Sequence, residues 1–274
     1  MLRVATFNVN GIRAASRRGF DAWLAGRGCD VAGLQELRCP TEDLPVAAFG
    51  SYVVTYHPGE LAGRNGVAVL TRAAPLAVRY GFGHRSDDEG RYLELDLDLG
   101  GGRPALTVGS LYLPKGGAPS AGGAELVRYR RKMRFLASFR AYLTRARRQA
   151  ATSGRQFLVM GDFNIAHTPL DLTNWRSSQR AAGFLPEERE WFSSILGPRT
   201  LVDVVRRQHP DVPGPNSWWM WREPAFSADT GWRIDYQLTS PDLARTVTSA
   251  GTDREARYAD RISDHAPVVV DYDV

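Results

Sequence analysis

One stretch of the chain, residues 156–164, limits most strongly what this protein can fold into; it reads QFLVMGDFN. Its apolar run is unbroken and ends in Gly161, a pattern typical of a strand that is buried on both faces. The glycine leaves room for a turn or for the approach of a substrate. Asp162 and Asn164 follow, so a metal ligand or proton acceptor and an amide that holds an oxyanion stand at the strand's end. Taken alone, a simple turn cap explains these two residues equally well.

The order of the predicted elements indicates one domain. The chain has 274 residues, of which 43% are hydrophobic, which is enough to form a large buried core. Strands and helices interleave without repeats or an evident linker, and several strands follow one another without a helix between them. We therefore expect a single α/β domain over residues 1–274, built from two mixed sheets packed on each other.

Charge and cysteine content narrow the class of partner and the compartment. The net charge is +5 with a pI near 9.4, which fits a nucleic-acid partner but does not require one. Only Lys115 and Lys132 are lysines, so arginine supplies almost all of the positive charge. Cys29 and Cys39 are too few for a disulfide framework, and no leader or long apolar span is visible. We expect a cytosolic protein without a membrane segment.

Polar side chains recur at the ends of the other predicted strands. Strands are expected at 2–10, 30–34, 51–56, 66–71, 91–99, 105–113, 233–240 and 268–272. The alternating segment 91–99 is expected to be half exposed. A solvated strand end accounts for Glu36 as well as a functional role does, if that residue is considered alone. The neighbouring Asp264 and His265, in contrast, are seldom structural together at a strand start.

Helical spacing marks three further segments. Phe20, Trp23 and Leu24 indicate a short helix, and apolar residues between 126 and 143 indicate a long amphipathic one whose arginine-rich face we expect to be solvated. Pro186 is expected to begin a third helix, with acids in its first turn. Tryptophans 218, 219, 221 and 232 are either core residues or a stacking platform.

Together the polar strand ends form the set that phosphodiester hydrolysis requires. They are Asn8, Glu36, Tyr112, Asp162, Asn164, Asp235, Asp264 and His265. Glu36 offers a hard oxygen for Mg²⁺, and Asp235 beside His265 would fix the imidazole tautomer and favour its protonated form. Asn164 and Tyr112 would hold a water and a phosphate oxygen. No GxxxxGK[ST] phosphate loop competes with this interpretation.

Motifs along essentially the whole chain resemble those of one known family. They are FNVNGIR (7–13), LQE (34–36), LYLP (111–114), GDFNIA (161–166), LPEEREWF (185–192), GWRIDY (231–236) and SDHAP (263–267). In this order they resemble the exonuclease III family of apurinic/apyrimidinic endonucleases. GDFN and SDH alone would indicate only the wider superfamily, which also contains phosphatases. The segment 183–192 together with GWRIDY is specific to the DNA-repair branch.

The resemblance implies a fold and an assignment of residues. The fold is a four-layer α/β sandwich, in which two mixed β-sheets pack face to face with helices outside. The catalytic residues implied are Tyr112, Asp162, Asn164, Asp235 and His265, and the metal residues are Asn8, Glu36 and Asp264. The DNA-binding residues implied are Asn10, Arg13, Arg38, Lys115, Trp218, Arg222, Trp232 and Ile234. Lys115 stands where the family more often has Asn or Gln.

The function that we expect from these residues and this resemblance is that of a DNA-repair nuclease. It would use Mg²⁺, with Mn²⁺ as an alternative, to hydrolyse the phosphodiester 5′ to abasic sites in duplex DNA and to trim 3′ ends. We expect a monomer in the bacterial cytosol or nucleoid. The alternatives are a superfamily phosphatase acting on a phosphorylated small molecule and a catalytically silent DNA-binding protein. The sequence leaves open whether Asp162 or His265 is the general base, whether one metal or two are used, and which of the nuclease activities dominates.

Overall fold

The apolar segments of the sequence form two six-stranded sheets with helices on their outer faces. The computed structural model describes residues 1–61, 63–85 and 87–274. In chain order the strands are β1 (Leu2–Asn8), β2 (Val31–Gln35), β3 (Val53–His57), β4 (Val67–Thr71), β5 (Ala77–Tyr80), β6 (Tyr92–Leu97), β7 (Leu106–Tyr112), β8 (Gln156–Asp162), β9 (Val202–Asp203), β10 (Asp235–Thr239), β11 (Val247–Thr252) and β12 (Val268–Tyr272). The helices are α1 (Ile12–Arg17), α2 (Phe20–Arg27), α3 (Gly123–Thr152), α4 (Pro186–Ile195), α5 (Val204–Gln208), α6 (Glu223–Ser227) and α7 (Pro241–Arg245).

Both sheets are mixed, as predicted. The strand order is β11-β12-β1-β2-β4-β3 in the first sheet and β5-β6-β7-β8-β10-β9 in the second. The pairs β1–β2 and β7–β8 are parallel, and the other neighbours are antiparallel. Parallel neighbours end at the same edge of a sheet, so each sheet gathers two carboxyl ends on one side.

The hydrophobic residues divide into layers that confirm the predicted four-layer sandwich. Val4 and Val31 of the first sheet pack against Val108 and Met160 of the second, which makes the core between the sheets. Helices α1 and α2 cover the outer face of the first sheet, and α3 and α4 cover the outer face of the second. Burial of such faces on both sides of each sheet is what stabilises this arrangement.

The prediction that segment 91–99 is half exposed is wrong. Strand β6 is buried along its whole length, although its sequence alternates. Glu94 and Asp96 on its polar face are each held at 2.7 Å by the guanidinium of Arg79 from β5. Thr107 donates a further hydrogen bond to Asp96 at 2.7 Å. An alternating pattern predicts a face that is polar, but ion pairing across the sheet satisfies that face without water.

The predicted helices are confirmed with shifted ends. The short helix is α2, the helix that begins at Pro186 is α4, and the long amphipathic helix is α3, which has 30 residues. Arg130, Arg134 and Arg148 on α3 are exposed, in agreement with the expected solvated face. None of the helices in the described residues is both long and apolar enough to cross a membrane.

Candidate active site

The predicted catalytic residues converge at one rim of the sandwich because of the strand directions. Asn8 ends β1 and Glu36 follows β2, its parallel neighbour. In the second sheet Tyr112 ends β7 beside Asp162, which ends the parallel strand β8. Asp235 begins the antiparallel strand β10 and lies opposite Asp162 in the register. The carboxyl ends of both sheets and the amino end of β10 therefore meet at the same edge.

At the centre of the rim lies a cluster of two carboxylates and one imidazole, which we call the carboxylate cluster. Glu36, Asp162 and His265 each place one ligand atom within 4.8 Å of the others. The Nδ2 group of Asn8 lies between the two acids and donates to Glu36 Oε1 at 2.8 Å and to Asp162 Oδ2 at 3.0 Å. The guanidinium of Arg38 contacts the other oxygen of Glu36. The cluster thus joins the two sheets through side chains from β1, β2 and β8.

The backbone around this cluster is strained. Glu36 and Arg38 have φ values of 54° and 52°, and Asn10 and Asn164 have values of 46° and 50°. Asparagine tolerates this left-handed region, but for Glu and Arg it costs of the order of 1–3 kcal/mol each. Strain of this kind persists where the surrounding structure holds the residue in place, which is common at functional sites. Here the backbone N–H of Gly11 donates to the carbonyl of Glu36 at 2.8 Å.

The glycine before Asp162 is required by the neighbouring strand. Gly161 has φ 140°, and a Cβ atom there would lie 1.9 Å from the carbonyl oxygen of Leu111 on β7. The close approach is therefore that of a strand backbone, rather than the turn or the substrate that the sequence allowed for. It brings the ends of β7 and β8 together, and with them Tyr112 and Asp162.

His265 is held by Asp235, as the sequence predicted, and also by a residue that the sequence did not indicate. His265 Nδ1 donates to Asp235 Oδ2 at 2.8 Å, and the same oxygen accepts a hydrogen bond from Ser217 Oγ at 2.6 Å. Burial lowers the pKa of His265, but Asp235 and the nearby Asp162 outweigh it and raise that pKa to about 10. Ser217 escapes prediction because a lone serine before the tryptophan cluster carries no pattern.

Asp162 has an unusual proton affinity for an aspartate. Burial raises its pKa to about 8, His265 opposes the rise, and Asp235 and Glu36 add to it. Asn164 donates to both of its oxygens, from the backbone N–H at 2.8 Å and from Nδ2 at 3.1 Å. His265 Nε2 lies 3.8 Å from Asp162 Oδ2. A carboxylate and an imidazole thus lie close together in the lining of one cleft.

The predicted metal residue Asp264 has its carboxylate engaged on both sides. Its Oδ1 accepts a hydrogen bond from Asn10 Nδ2 at 2.7 Å, and its Oδ2 accepts one from the indole of Trp218 at 3.1 Å. Asp264 lines the same cleft as Glu36, but the three described groups close enough to share a metal ion are those of Glu36, Asp162 and His265. The role of Asp264 at a metal stays a prediction.

The other end of the same cleft is apolar. Trp218, Trp232 and Ile234 line it beside Gly183, in a cavity of about 260 Å³ that also contains the carboxylate cluster. The two indoles meet edge to face, with ring centroids 6.4 Å apart. The core alternative is correct for Trp219, which is buried, while Trp218 and Trp232 form the wall of the cleft and their use as a stacking platform stays a prediction.

Of the four cationic residues predicted to bind DNA, two line the cleft and two lie outside its described lining. Arg38 and Lys115 line the cleft. Arg13, paired with Asp43 at 3.3 Å, and the exposed Arg222 lie outside the part of the cleft lining that the structure describes. They belong to the surrounding surface rather than to the reaction centre.

The donor set and its charge fit a divalent cation. Glu36, Asp162, Asp235 and Asp264 carry carboxylates, whereas Arg38, Lys115 and His265 are the basic residues of the described lining. Burial and then the neighbouring acids raise the pKa of Asp162, so a bound cation would favour its ionised form. Carboxylate and amide oxygens are the ligands that Mg²⁺ prefers. The imidazole of His265 is engaged with Asp235 and protonated, which disfavours it as a ligand.

Several known proteins are similar to this chain in both sequence and fold. Residues 5–265 match the Endonuclease/Exonuclease/phosphatase family. An exodeoxyribonuclease of Bacillus subtilis (strain 168) is 30% identical over 269 residues, covering 97% of this chain and 98% of the relative. The DNA repair nuclease APEX1 of Danio rerio is 32% identical over 276 residues, covering 98% and 81%. The structure of an AP endonuclease from Archaeoglobus fulgidus superposes with a TM-score of 0.86 at 28% identity, covering 100% of both chains.

The similarity extends over the whole length that carries the rim residues, from Asn8 in β1 to His265 before β12. It agrees with the fold, with the carboxylate cluster and with the motifs in the sequence. The chain therefore belongs to the Endonuclease/Exonuclease/phosphatase family, and within it to the DNA-repair nucleases of the exonuclease III type.

Proposed function

We propose that this nuclease hydrolyses the phosphodiester 5′ to abasic sites in duplex DNA, in a Mg²⁺-dependent reaction, and that it also trims 3′ ends. The observation that carries the proposal is the composition of one cleft. It joins the cluster of Glu36, Asp162 and His265 to an apolar wall of Trp218, Trp232 and Ile234. The first part suits a phosphate, and the second suits a sugar that has lost its base.

We assign each residue of the cluster a different role in the reaction. Glu36 would hold Mg²⁺, or Mn²⁺ as the alternative, with Asn8 and Asp264 beside it. The bound cation would neutralise charge that develops on the phosphate. Asp162, oriented by Asn164, positions the attacking water and takes its proton. Asp235 favours the protonated form of His265, so we assign to this imidazole a hydrogen bond donated to a phosphate oxygen and leave the role of base to Asp162.

Tyr112 completes the phosphate environment. Burial raises the pKa of its phenol well above the usual value, and Glu36 and Asp162 raise it further. The hydroxyl therefore stays protonated at neutral pH and acts as a hydrogen-bond donor. Its position at the end of β7, level with Asp162, suits a second contact to the phosphate.

The apolar wall supports selection of a damaged nucleotide. An enzyme that acts on a nucleotide swung out of the helix selects what its pocket can admit. A cleft of about 260 Å³ that must also hold the phosphate is small for a complete nucleotide with its base. An abasic sugar, which has lost its base, is smaller and fits better against Trp218 and Trp232. The same wall disfavours a phosphatase for highly charged small molecules, the alternative within the superfamily.

Cations around the cleft would bind the DNA backbone. Arg38 and Lys115 lie in the lining and Arg13 and Arg222 lie outside it, so together they offer contacts over a wider footprint than one phosphate. Asn10 would approach the DNA beside Asp264, to which it is hydrogen-bonded. We further propose a monomeric enzyme in the cytosol, a location with which the unpaired, buried Cys29 and Cys39 agree.

Trimming of 3′ ends is the second activity in this proposal. It uses the same carboxylate cluster but does not require a nucleotide to be swung out of a continuous strand. The relative from Bacillus subtilis carries the name of an exodeoxyribonuclease, and the zebrafish relative that of a DNA repair nuclease. These names support both activities without ranking them.

The decisive experiment uses a labelled duplex with one stable abasic analogue and an undamaged duplex as control. We expect a single nick 5′ to the lesion with Mg²⁺ and none with EDTA. Asp162→Asn should abolish the nick and leave DNA binding largely intact, whereas the exposed Asp273→Asn should behave like the wild type. Shortening from 3′ ends without a nick would reject the abasic-site assignment and retain the end-trimming one. Cleavage of neither duplex by folded protein would reject both.

A further inference from the structure

A fully buried ion pair lies behind the wall of the cleft. Lys132, in the middle of α3, and Glu188, in the first turn of α4, both have 0% exposure. Lys132 Nζ lies 2.7 Å from Glu188 Oε1. Neither residue faces the reacting groups. The sequence assigned Glu188 only to the electrostatics of a helix start, and it assigned no role to Lys132.

The ammonium group of Lys132 holds two segments of the cleft. It donates to the backbone carbonyl of Asn164 at 2.9 Å and to that of Lys115 at 3.3 Å. Asn164 and Lys115 both line the cleft. With the ion-pair contact to Glu188 Oε1, the ammonium lies within 3.3 Å of three oxygen atoms.

The carboxylate of Glu188 holds a third segment. Its Oε2 accepts hydrogen bonds from the backbone N–H of Gly183 at 2.7 Å and of Leu185 at 3.0 Å. Gly183 lines the cleft and packs closely on its wall, since a Cβ atom there would lie 3.2 Å from the ring of Trp232 and 3.0 Å from the carbonyl of Asn164. One ion pair therefore connects the backbone at Asn164 with the segment 183–185, whose Gly183 packs against Trp232.

Stability does not explain why an ion pair stands here. Taking two charges out of water costs several kcal/mol for each ion, and a well-packed apolar pair is often as stable or more so. Composition does not explain the lysine either. Lys132 is one of two lysines among 35 basic residues, and it stands in a helix otherwise rich in arginine. A compact ammonium reaches three acceptors around a point, which a planar guanidinium cannot do.

We propose that Lys132 and Glu188 are positioning residues, whose ion pair sets the spacing between the backbone at Asn164 and the segment at Gly183 that packs against Trp232, and thereby the rate of the chemical step. The inference rests on the proposed function, since it concerns incision in that cleft. Asn164 orients Asp162, so a displacement of its backbone moves the group that positions water. A misplacement of about 1 Å in such a group can cost about 100-fold in rate.

The test compares variants that separate positioning from stability. The double variant Lys132→Met/Glu188→Gln removes both charges and keeps an amide oxygen that can accept from Gly183. We expect it to melt near the wild-type temperature, while kcat for the abasic-site nick falls by about 100-fold and KM for DNA changes little. The matched control Arg79→Met/Glu94→Gln removes another ion pair, on the outer face of the second sheet, and should leave kcat unchanged.

A second variant decides the outcome if the double variant fails to fold. Lys132→Arg keeps the charge, and we expect a folded protein whose kcat is reduced because its planar group loses at least one of the three acceptors. Wild-type kcat in either folded variant would overturn the inference, as would a loss that appears entirely in KM. A wild-type enzyme that fails to nick the abasic duplex would instead reject the proposed function, so the two failures are distinguishable.

Discussion

The imidazole of His265 donates through Nδ1 to Oδ2 of Asp235 at 2.8 Å, and both side chains are buried. Burial alone would lower the pKa of His265, yet the carboxylates around it raise that pKa to about 10. Asp235 thus favours the imidazolium form of the ring, whose Nε2 lies 3.8 Å from Asp162 Oδ2. The first prediction concerns the pair of His265 and Asp235.

Replacing Asp235 by Asn should reduce kcat by roughly 10²- to 10⁴-fold, because the imidazolium loses the charge that stabilises it. The charged form exists below the pKa of His265, so lowering that pKa should make the variant lose activity with rising pH where the wild type does not. The pH dependence of kcat at saturating Mg²⁺ measures this. Equal alkaline limbs for variant and wild type would contradict it, and Asp273→Asn serves as the control.

Replacing Trp232 by Ala should reduce discrimination more than chemistry. Removing the Trp232 ring from the apolar wall of the cleft should lower the ratio of abasic-site nicking to 3′ trimming by roughly 10- to 200-fold. Trp232→Phe, which keeps an aromatic wall, should stay close to the wild type. Parallel time courses on a lesion duplex and a 3′-recessed duplex give the ratio. If both reactions fell equally, Trp232 would contribute to the common reaction centre and not to selection.

Replacing Arg13 by Ala should weaken DNA binding uniformly across sequences. Arg13 is more than half exposed, and among the residues that the structure describes its ion pair is with the exposed Asp43, so a DNA phosphate can replace that carboxylate. The slope of log K against log salt concentration should decrease in magnitude by about 1. Arg148→Ala is the matched control, since this exposed arginine lies near the end of α3 that is remote from the cleft. An unchanged slope for Arg13→Ala would remove Arg13 from the DNA footprint.

The lowered pKa of Asp171 predicts that the folded state loses stability at low pH. Burial raises its pKa, but Arg233 at 2.7 Å and Arg206 at 2.6 Å outweigh burial and hold that pKa at about 2, below the usual 3.8. A depressed folded pKa contributes stability that is complete above the unfolded pKa and is lost as the pH falls towards 2. The contribution amounts to about 2 kcal/mol.

Asp171→Asn should therefore be less stable at neutral pH by about 3 kcal/mol, because Arg233 loses one of its two buried partners. Its stability should also change less between about pH 5 and pH 3 than that of the wild type. Urea unfolding at these pH values tests both statements. Parallel stability curves for the two proteins would show that other carboxylates control acid unfolding.

Much of the site follows from local rules of sequence. Asn8, Glu36, Asp162 and Asp235 were recognisable because polar residues directly after or before a buried strand lie at a sheet edge, and parallel neighbours share that edge. Helix starts such as Pro186 can also be predicted from sequence, since capping depends on a few adjacent residues. The burial of β6 cannot be predicted in this way, because Arg79 from a neighbouring strand pairs with the acids on its polar face.

The sequence by itself determined the strand and helix periodicity, the polar residues at strand ends and the family to which the chain belongs. Only the tertiary structure decided which side chains touch across large separations in sequence, such as Ser217 with Asp235 and Lys132 with Glu188. It also separated Trp219 in the core from Trp218 and Trp232 at the cleft. The physical reason is that periodicity reports the local backbone and its buried face, whereas hydrogen bonds and ion pairs depend on distances that exist only after the two sheets and their helices have packed.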